Sequence, residues 1–124
     1  MKKVAVVEDN EDNLLLVEAI LEDHYQLTGY GDGISALEGM AADPPDLVLL
    51  DISLPGIDGI ETLSRLRKID ALAHIPVVAL TAHAMTGDAE RFLRAGFDAY
   101  VAKPIVDDAG LIAEIEPLLA AKRP

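Results

Sequence analysis

Short apolar runs alternate along this chain with longer stretches in which apolar and polar residues recur at helical spacing. The runs are Lys3 to Val7, Gln26 to Tyr30, Leu47 to Leu50, Pro76 to Leu80 and Ala99 to Ala102, each of strand length. Two of them, at Leu47 and at Pro76, are unbroken by polar residues, as expected of strands buried on both faces of a parallel sheet. Helical patterns fill the gaps: about Glu11 to Asp23, from Gly33 to just before Asp43-Pro44-Pro45-Asp46, about Gly59 to Lys68, about Gly87 to Ala95, and about Asp108 to Ala121. Regular strand-helix alternation predicts an α/β fold of (βα)5 type, a parallel sheet with helices on both faces.

Local signals sharpen the boundaries. Pro55-Gly56 and Asp58-Gly59 turn the chain after the third strand, and Asp58 with Glu61 suits a capping box. Gly96 suits the left-handed position past the fourth helix. In the first helix the repeat predicts Leu16, Val17 and Ile20 on the inner face, opposite Glu11, Glu18 and Glu22. Leu14 and Leu15 then fall with the glutamates. Pro117 removes a hydrogen bond inside the last helix and predicts a kink or an early break there.

Composition narrows the function classes. A chain of 124 residues makes one domain, residues 1–124. No apolar run is long enough to span a bilayer and the N-terminal one is too short for a secretory signal, so the expected setting is cytoplasmic, without membrane insertion. With no cysteine, disulfides, thiol catalysis and cysteine-ligated metals are excluded. A formal charge of −12 argues against direct nucleic-acid binding. His24 and His74 form no metal-binding spacing, and no role is assigned to them.

The chemistry lies where the strands end. The first strand delivers Glu8 and Asp9, the third Asp51, the fourth Thr81 and the fifth Lys103. In a parallel sheet all of these emerge at one edge, the carboxyl edge where open α/β folds hold their ligands. Crowded carboxylates repel one another, and a hard divalent cation relieves the repulsion; Mg²⁺, with Mn²⁺ as a substitute, suits such an oxygen-donor set. A cation there would screen an anionic phosphoryl donor from an anionic nucleophile. Asp51, at the sheet centre, is the best candidate nucleophile, giving an acyl phosphate. Lys103 supplies a fixed positive charge for the transferred group, and Thr81 a hydrogen bond to it.

Glu8-Asp9, Asp51 with Pro55-Gly56 and Asp58-Gly59, Thr81-Ala82 and Lys103-Pro104 together resemble the signature of the response-regulator receiver domain of two-component signalling. The resemblance spans essentially the whole chain. It implies the flavodoxin-like strand order 2-1-3-4-5, of which a chemotaxis regulator of this family is a standard example. It further implies that Asp51 accepts a phosphoryl group from a phosphohistidine of a histidine kinase or a histidine phosphotransfer protein. Asp9, Asp51 and the backbone carbonyl of Ser53 would ligate Mg²⁺, with Glu8 acting through water. The Lys103-Pro104 bond would be cis. Thr81 and Tyr100 would form the switch, and Met85, Tyr100 and Ile105 the contacts to a downstream protein target. Ser53, Ala82 and His83 would tune the lifetime of the phosphoryl group. Asn13, Leu14 and Leu15, near the active edge, are the expected docking face toward the histidine-bearing partner.

Departures from the commoner pattern are few: Glu-Asp stands where Asp-Asp is more frequent, and Pro117 interrupts the last helix. The chain ends about where the receiver fold ends, so no effector domain is expected and output should pass through another protein. The segment from Thr81 to Met85 looks most like receivers of hybrid kinases and of stand-alone phosphorelay or cell-cycle regulators. Three rivals stand beside this reading. A flavodoxin would need a phosphate loop free of the acids at Glu8 to Asp12. An aspartyl-nucleophile phosphatase should carry a second Asp where Ser53 stands. The third is a receiver kept as a magnesium-binding scaffold and never phosphorylated, against which every catalytic position is filled.

Overall fold

The computed structural model describes residues 2–82, 88–103 and 108–120. His83, Met85, Pro104 and Ile105 lie outside the described residues. The strands are β1 (Lys3–Val7), β2 (Gln26–Tyr30), β3 (Leu47–Asp51), β4 (Val77–Thr81) and β5 (Ala99–Ala102). Between and after them run α1 (Glu11–Leu21), α2 (Gly33–Ala42), α3 (Gly59–Leu66), α4 (Asp88–Ala95) and α5 (Asp108–Ala120), with one 3₁₀ turn at Asp70–Leu72. All strand pairs are parallel and the order is β2-β1-β3-β4-β5, as expected.

The central strands explain the unbroken apolar runs. Every residue of β3 and β4 is buried. Successive side chains point to opposite faces, so Val48 and Leu50 join Val7, Ala36, Met40, Leu63, Leu66, Phe92 and Phe97 on the face covered by α2, α3 and α4. Leu47 and Leu49 pack with Val6, Val17, Leu21, Leu111 and Ile115 beneath α1 and α5. Each such fully buried aliphatic side chain contributes about 1.5–3 kcal/mol. Edge strand β2 is mostly exposed or half-buried, and β5 alternates along its length.

Helix starts follow the capping signals. Asn10 caps α1 by accepting from the Asn13 N–H, Asp32 caps α2 through Ser35, and Asp58 caps α3 through Glu61. The side chain of Glu61 pairs forward with Arg65.

Two expectations for the helices are corrected. In α1 Val17 and Ile20 face inward as expected, joined by Leu21 and by Leu14 in place of Leu16; Leu14 is half-buried, packed on the core and against Gly29. Leu16 is 42% exposed and Leu15 62%. Four consecutive apolar residues, Leu14 to Val17, encircle the helix, so their pattern could not choose the face. In α5 the helix continues past Pro117 to Ala120. Ala113, whose carbonyl lacks its usual donor, and Pro117 are both exposed, so the early break does not occur and the unpaired carbonyl faces solvent. The hydroxyl of buried Tyr25 donates to Glu116, tying the turn before β2 to this helix.

Candidate active site at the carboxyl edge of the sheet

Strand register brings the polar residues together. Val7 pairs with Leu50, Asp51 with Leu80, and Thr81 with Ala102, so Glu8, Asp51, Thr81 and Lys103 follow one another across β1, β3, β4 and β5. Ligand oxygens of Glu8, Asp9 and Asp51 lie within 4.8 Å of one another. Glu8 and Asp51 are almost wholly buried, whereas Asp9 is exposed and opens the cluster to solvent.

The backbone holds these groups firmly. The Glu8 N–H bonds the Tyr30 carbonyl at 2.9 Å, continuing the β1–β2 ladder one residue past the strand. On β3, the Ile52 N–H bonds Leu80 and the Gly59 N–H bonds Ile52. A Cβ on Gly59 would sit 2.3 Å from the Asp51 carbonyl oxygen, so only glycine lets α3 start this close to the strand end. Gly56, at φ +72°, makes the preceding turn. The Ser53 N–H donates to Asp51 Oδ1 at 3.0 Å, folding the loop back on the carboxylate. The Lys103 N–H bonds the carbonyl of buried Thr81 at 2.8 Å.

Lys103 Nζ reaches Asp51 Oδ2 at 3.1 Å and Glu8 Oε1 at 3.2 Å. Burial pushes the Glu8 carboxyl up to about 7, the hydrogen bond and negative charge of Asp51 add to the rise, and Asn13 and Lys103 oppose it. For Asp51, burial also works upward, but hydrogen bonds from Glu8, the Ser53 N–H and Lys103 outweigh it and hold the carboxyl below its usual value. Burial likewise works against the Lys103 ammonium, yet Asp51 and Glu8 raise it. The buried pair thus favours one proton, on Glu8, and one negative charge, on Asp51. An all-oxygen donor set with surplus negative charge and one member open to water fits Mg²⁺.

The other expected site residues divide. Ser53 and Ala82 are exposed beside the cluster. Tyr100 is on the surface, 36% exposed, where it lines a groove of about 320 Å³ with Leu93, Asp98, Ala99 and Glu114. Asn13, expected among the docking residues, turns its amide toward the site, Nδ2 donating to Glu8 Oε1 at 2.9 Å. Leu14 is half-buried against the core, whereas Leu15 and Leu16 are exposed.

A parallel sheet of this order with an acidic cluster and a lysine at its carboxyl edge defines a class, and the chain belongs to the response regulator receiver domain family, which it matches over residues 4–116. It is a receiver domain of two-component signalling. Among particular proteins it is similar to the polar-differentiation response regulator DivK of Brucella anthropi, with 44% identity over 105 residues, 84% of this chain and 85% of the relative. The receiver domain of a sensor histidine kinase from Pseudomonas aeruginosa, solved with a magnesium ion coordinated in its active site cleft, superposes with a TM-score of 0.88 at 33% identity, covering 97% of this chain and 98% of that one. The chemotaxis protein CheY4 of Vibrio cholerae shares the fold, with a TM-score of 0.88 at 22% identity over 95% of this chain and 98% of that one. Among the described residues, no helix is long and apolar enough to cross a membrane.

Proposed function

We propose that this protein receives a phosphoryl group on Asp51 from a phosphohistidine of a histidine kinase or histidine phosphotransfer protein. The observation that carries the reading is the convergence of Glu8, Asp9 and Asp51 within 4.8 Å beside a lysine 3.1 Å from Asp51. Mg²⁺, or Mn²⁺ in its place, held by Asp9, Asp51 and the Ser53 carbonyl with Glu8 acting through water, would supply the positive charge that lets an anionic donor approach an anionic nucleophile.

The chain's own residues account for the rest. Asp51, held ionised by Ser53 and Lys103, offers a carboxylate oxygen to phosphorus. The new O–P bond forms as the P–N bond of the phosphohistidine breaks, its electron pair returning to the imidazole nitrogen. Lys103 then turns from the carboxylates to the phosphoryl oxygens, and the Thr81 hydroxyl donates to one of them. Movement of Thr81 frees room into which Tyr100 turns, a population shift read by a downstream protein at the face carrying Tyr100. Small Ala82 leaves the acyl phosphate accessible, and Ser53 and His83 tune its lifetime. Leu15 and Leu16, exposed one to two turns from Asp9, form the face toward the histidine-bearing partner. The DivK relatives and the magnesium-bound receiver support this assignment by family.

The test is incubation of the protein with Mg²⁺ and acetyl phosphate, followed by mass spectrometry. A single phosphoryl adduct on Asp51 is expected, absent without Mg²⁺ and absent in Asp51→Asn. An unlabelled wild-type protein would instead mark a magnesium-binding scaffold. Continuous release of phosphate from added phosphate esters would mark a phosphatase, a reading that Ser53 disfavours because it stands where a second acid would be needed.

A further inference from the structure

We propose that Asn13 is a positioning residue of this site: its amide fixes the Glu8 carboxylate for the cation without neutralising it. The proposal rests on the magnesium reading above and goes beyond it in giving a role to a residue that touches neither the cation nor the phosphoryl group.

Glu8 is 1% exposed, so apart from a water shared with the cation its oxygens depend on protein donors. Two side chains serve Oε1: Asn13 Nδ2 at 2.9 Å and Lys103 Nζ at 3.2 Å, with Lys103 also 3.4 Å from Oε2. These donors differ in kind. Lys103 is shared with Asp51 at 3.1 Å, and a phosphoryl group arriving on Asp51 places new anionic oxygens within its reach. Glu8 then loses part of its lysine contact when the site is used. Asn13 has no such competing partner among its contacts, and its neutral amide orients a carboxylate while leaving its full charge available to a cation.

The mounting of Asn13 is equally specific. Its backbone N–H is held by Asn10 Oδ1 at 3.0 Å, so the helix cap that starts α1 also sets where the amide stands. Glu8 is pinned from the other side by its N–H to Tyr30. Strand end, cap and first helical turn therefore close a rigid loop with the Asn13–Glu8 bond across it. Beside that bond, Glu8, Asn13, Leu16, Val17, Leu80 and Lys103 line a small pocket with room for about one water molecule.

The experiment measures Mg²⁺ affinity by isothermal titration in the unphosphorylated wild type and in Asn13→Ala, Asn13→Leu and Asn13→Gln. Losing the donor should weaken binding about tenfold in both the alanine and the leucine variants, since supporting partners of metal ligands carry effects of this order. Asn13→Gln, which keeps an amide, should recover part of the loss. In acetyl phosphate labelling, the magnesium concentration for half-maximal rate should rise by a similar factor, with the rate at saturating magnesium within about threefold of wild type. Circular dichroism melting of each variant separates loss of fold from loss of affinity, and the Asn10 cap remains in all of them. Affinities for both donorless variants within about twofold of wild type, in folded protein, would overturn the proposal. Wild-type protein that binds no Mg²⁺ would instead overturn the magnesium reading on which it rests.

Discussion

The carboxyl of Glu8 keeps its proton in the fold up to about pH 7, whereas in an unfolded chain the same group has lost it above about 4.5. Its contribution to stability is therefore fully present below about 4.5 and is lost as pH rises through about 7. Above that pH the metal-free fold holds buried negative charges side by side. Glu8→Gln keeps the shape and the acceptor for Asn13 but cannot ionise. At pH 8 without magnesium it should melt roughly 5 °C higher than wild type, with the difference vanishing near pH 4, as calorimetry would record. A cation reverses the preference, because it favours the ionised carboxyl. Magnesium affinity of the wild type should accordingly tighten by up to about tenfold per pH unit on approaching pH 7 and level off above it, measured by titration calorimetry. The acids Glu8, Asp9 and Asp51 were legible in the sequence because the pair Glu8-Asp9 and Asp51 each follow an apolar run, and strand ends in a parallel sheet share an edge. The inward turn of Asn13 was not, because a helix position one turn after the strand faces the strand end or the solvent according to the tilt of the helix, which local sequence does not encode.

Among the elements, those with a single apolar stripe or an unbroken apolar run were legible, and α1 was not. Leu14 to Val17 offer apolar surface in every direction, and only the packing of Val17 and Leu21 against the sheet decides that Leu16 points out and Leu14 in. At the amino edge of the sheet, opposite the acidic cluster, Arg67 past the end of α3 joins elements that the chain pattern leaves unrelated. Its guanidinium donates to the carbonyls of Ala73, Ile75 and Gly96 and to Asp98, which also accepts the Val77 N–H. A lone arginine following a helix carries no sequence signal for such a clamp. Arg67→Ala should lower stability by about 1–3 kcal/mol in urea unfolding, because several partly buried acceptors lose a donor together. Magnesium affinity should be unchanged, since the clamp lies at the other end of β4.

For the whole molecule, the sheet order gathers the polar strand ends at one edge, with part of α1 exposed beside them. The strand ends supply the acids and Lys103, and α1 presents Leu15 and Leu16 beside them. Replacing both leucines with alanine should slow phosphoryl transfer from a histidine-bearing partner about tenfold or more. Labelling by acetyl phosphate should be unaffected, and comparing the two rates in one preparation checks this. Leu14→Ala should behave differently, lowering stability by about 2 kcal/mol or more through lost packing. The bridging arginine adds a mechanical consequence. With the start of β4 tied to the residue before β5 through Val77 and Asp98, a disturbance entering at Thr81 and Lys103 cannot slide the two strands bodily. Any displacement should instead pivot about that pinned base, as a lever about its fulcrum, largest near Thr81 and Lys103 and smallest at Val77.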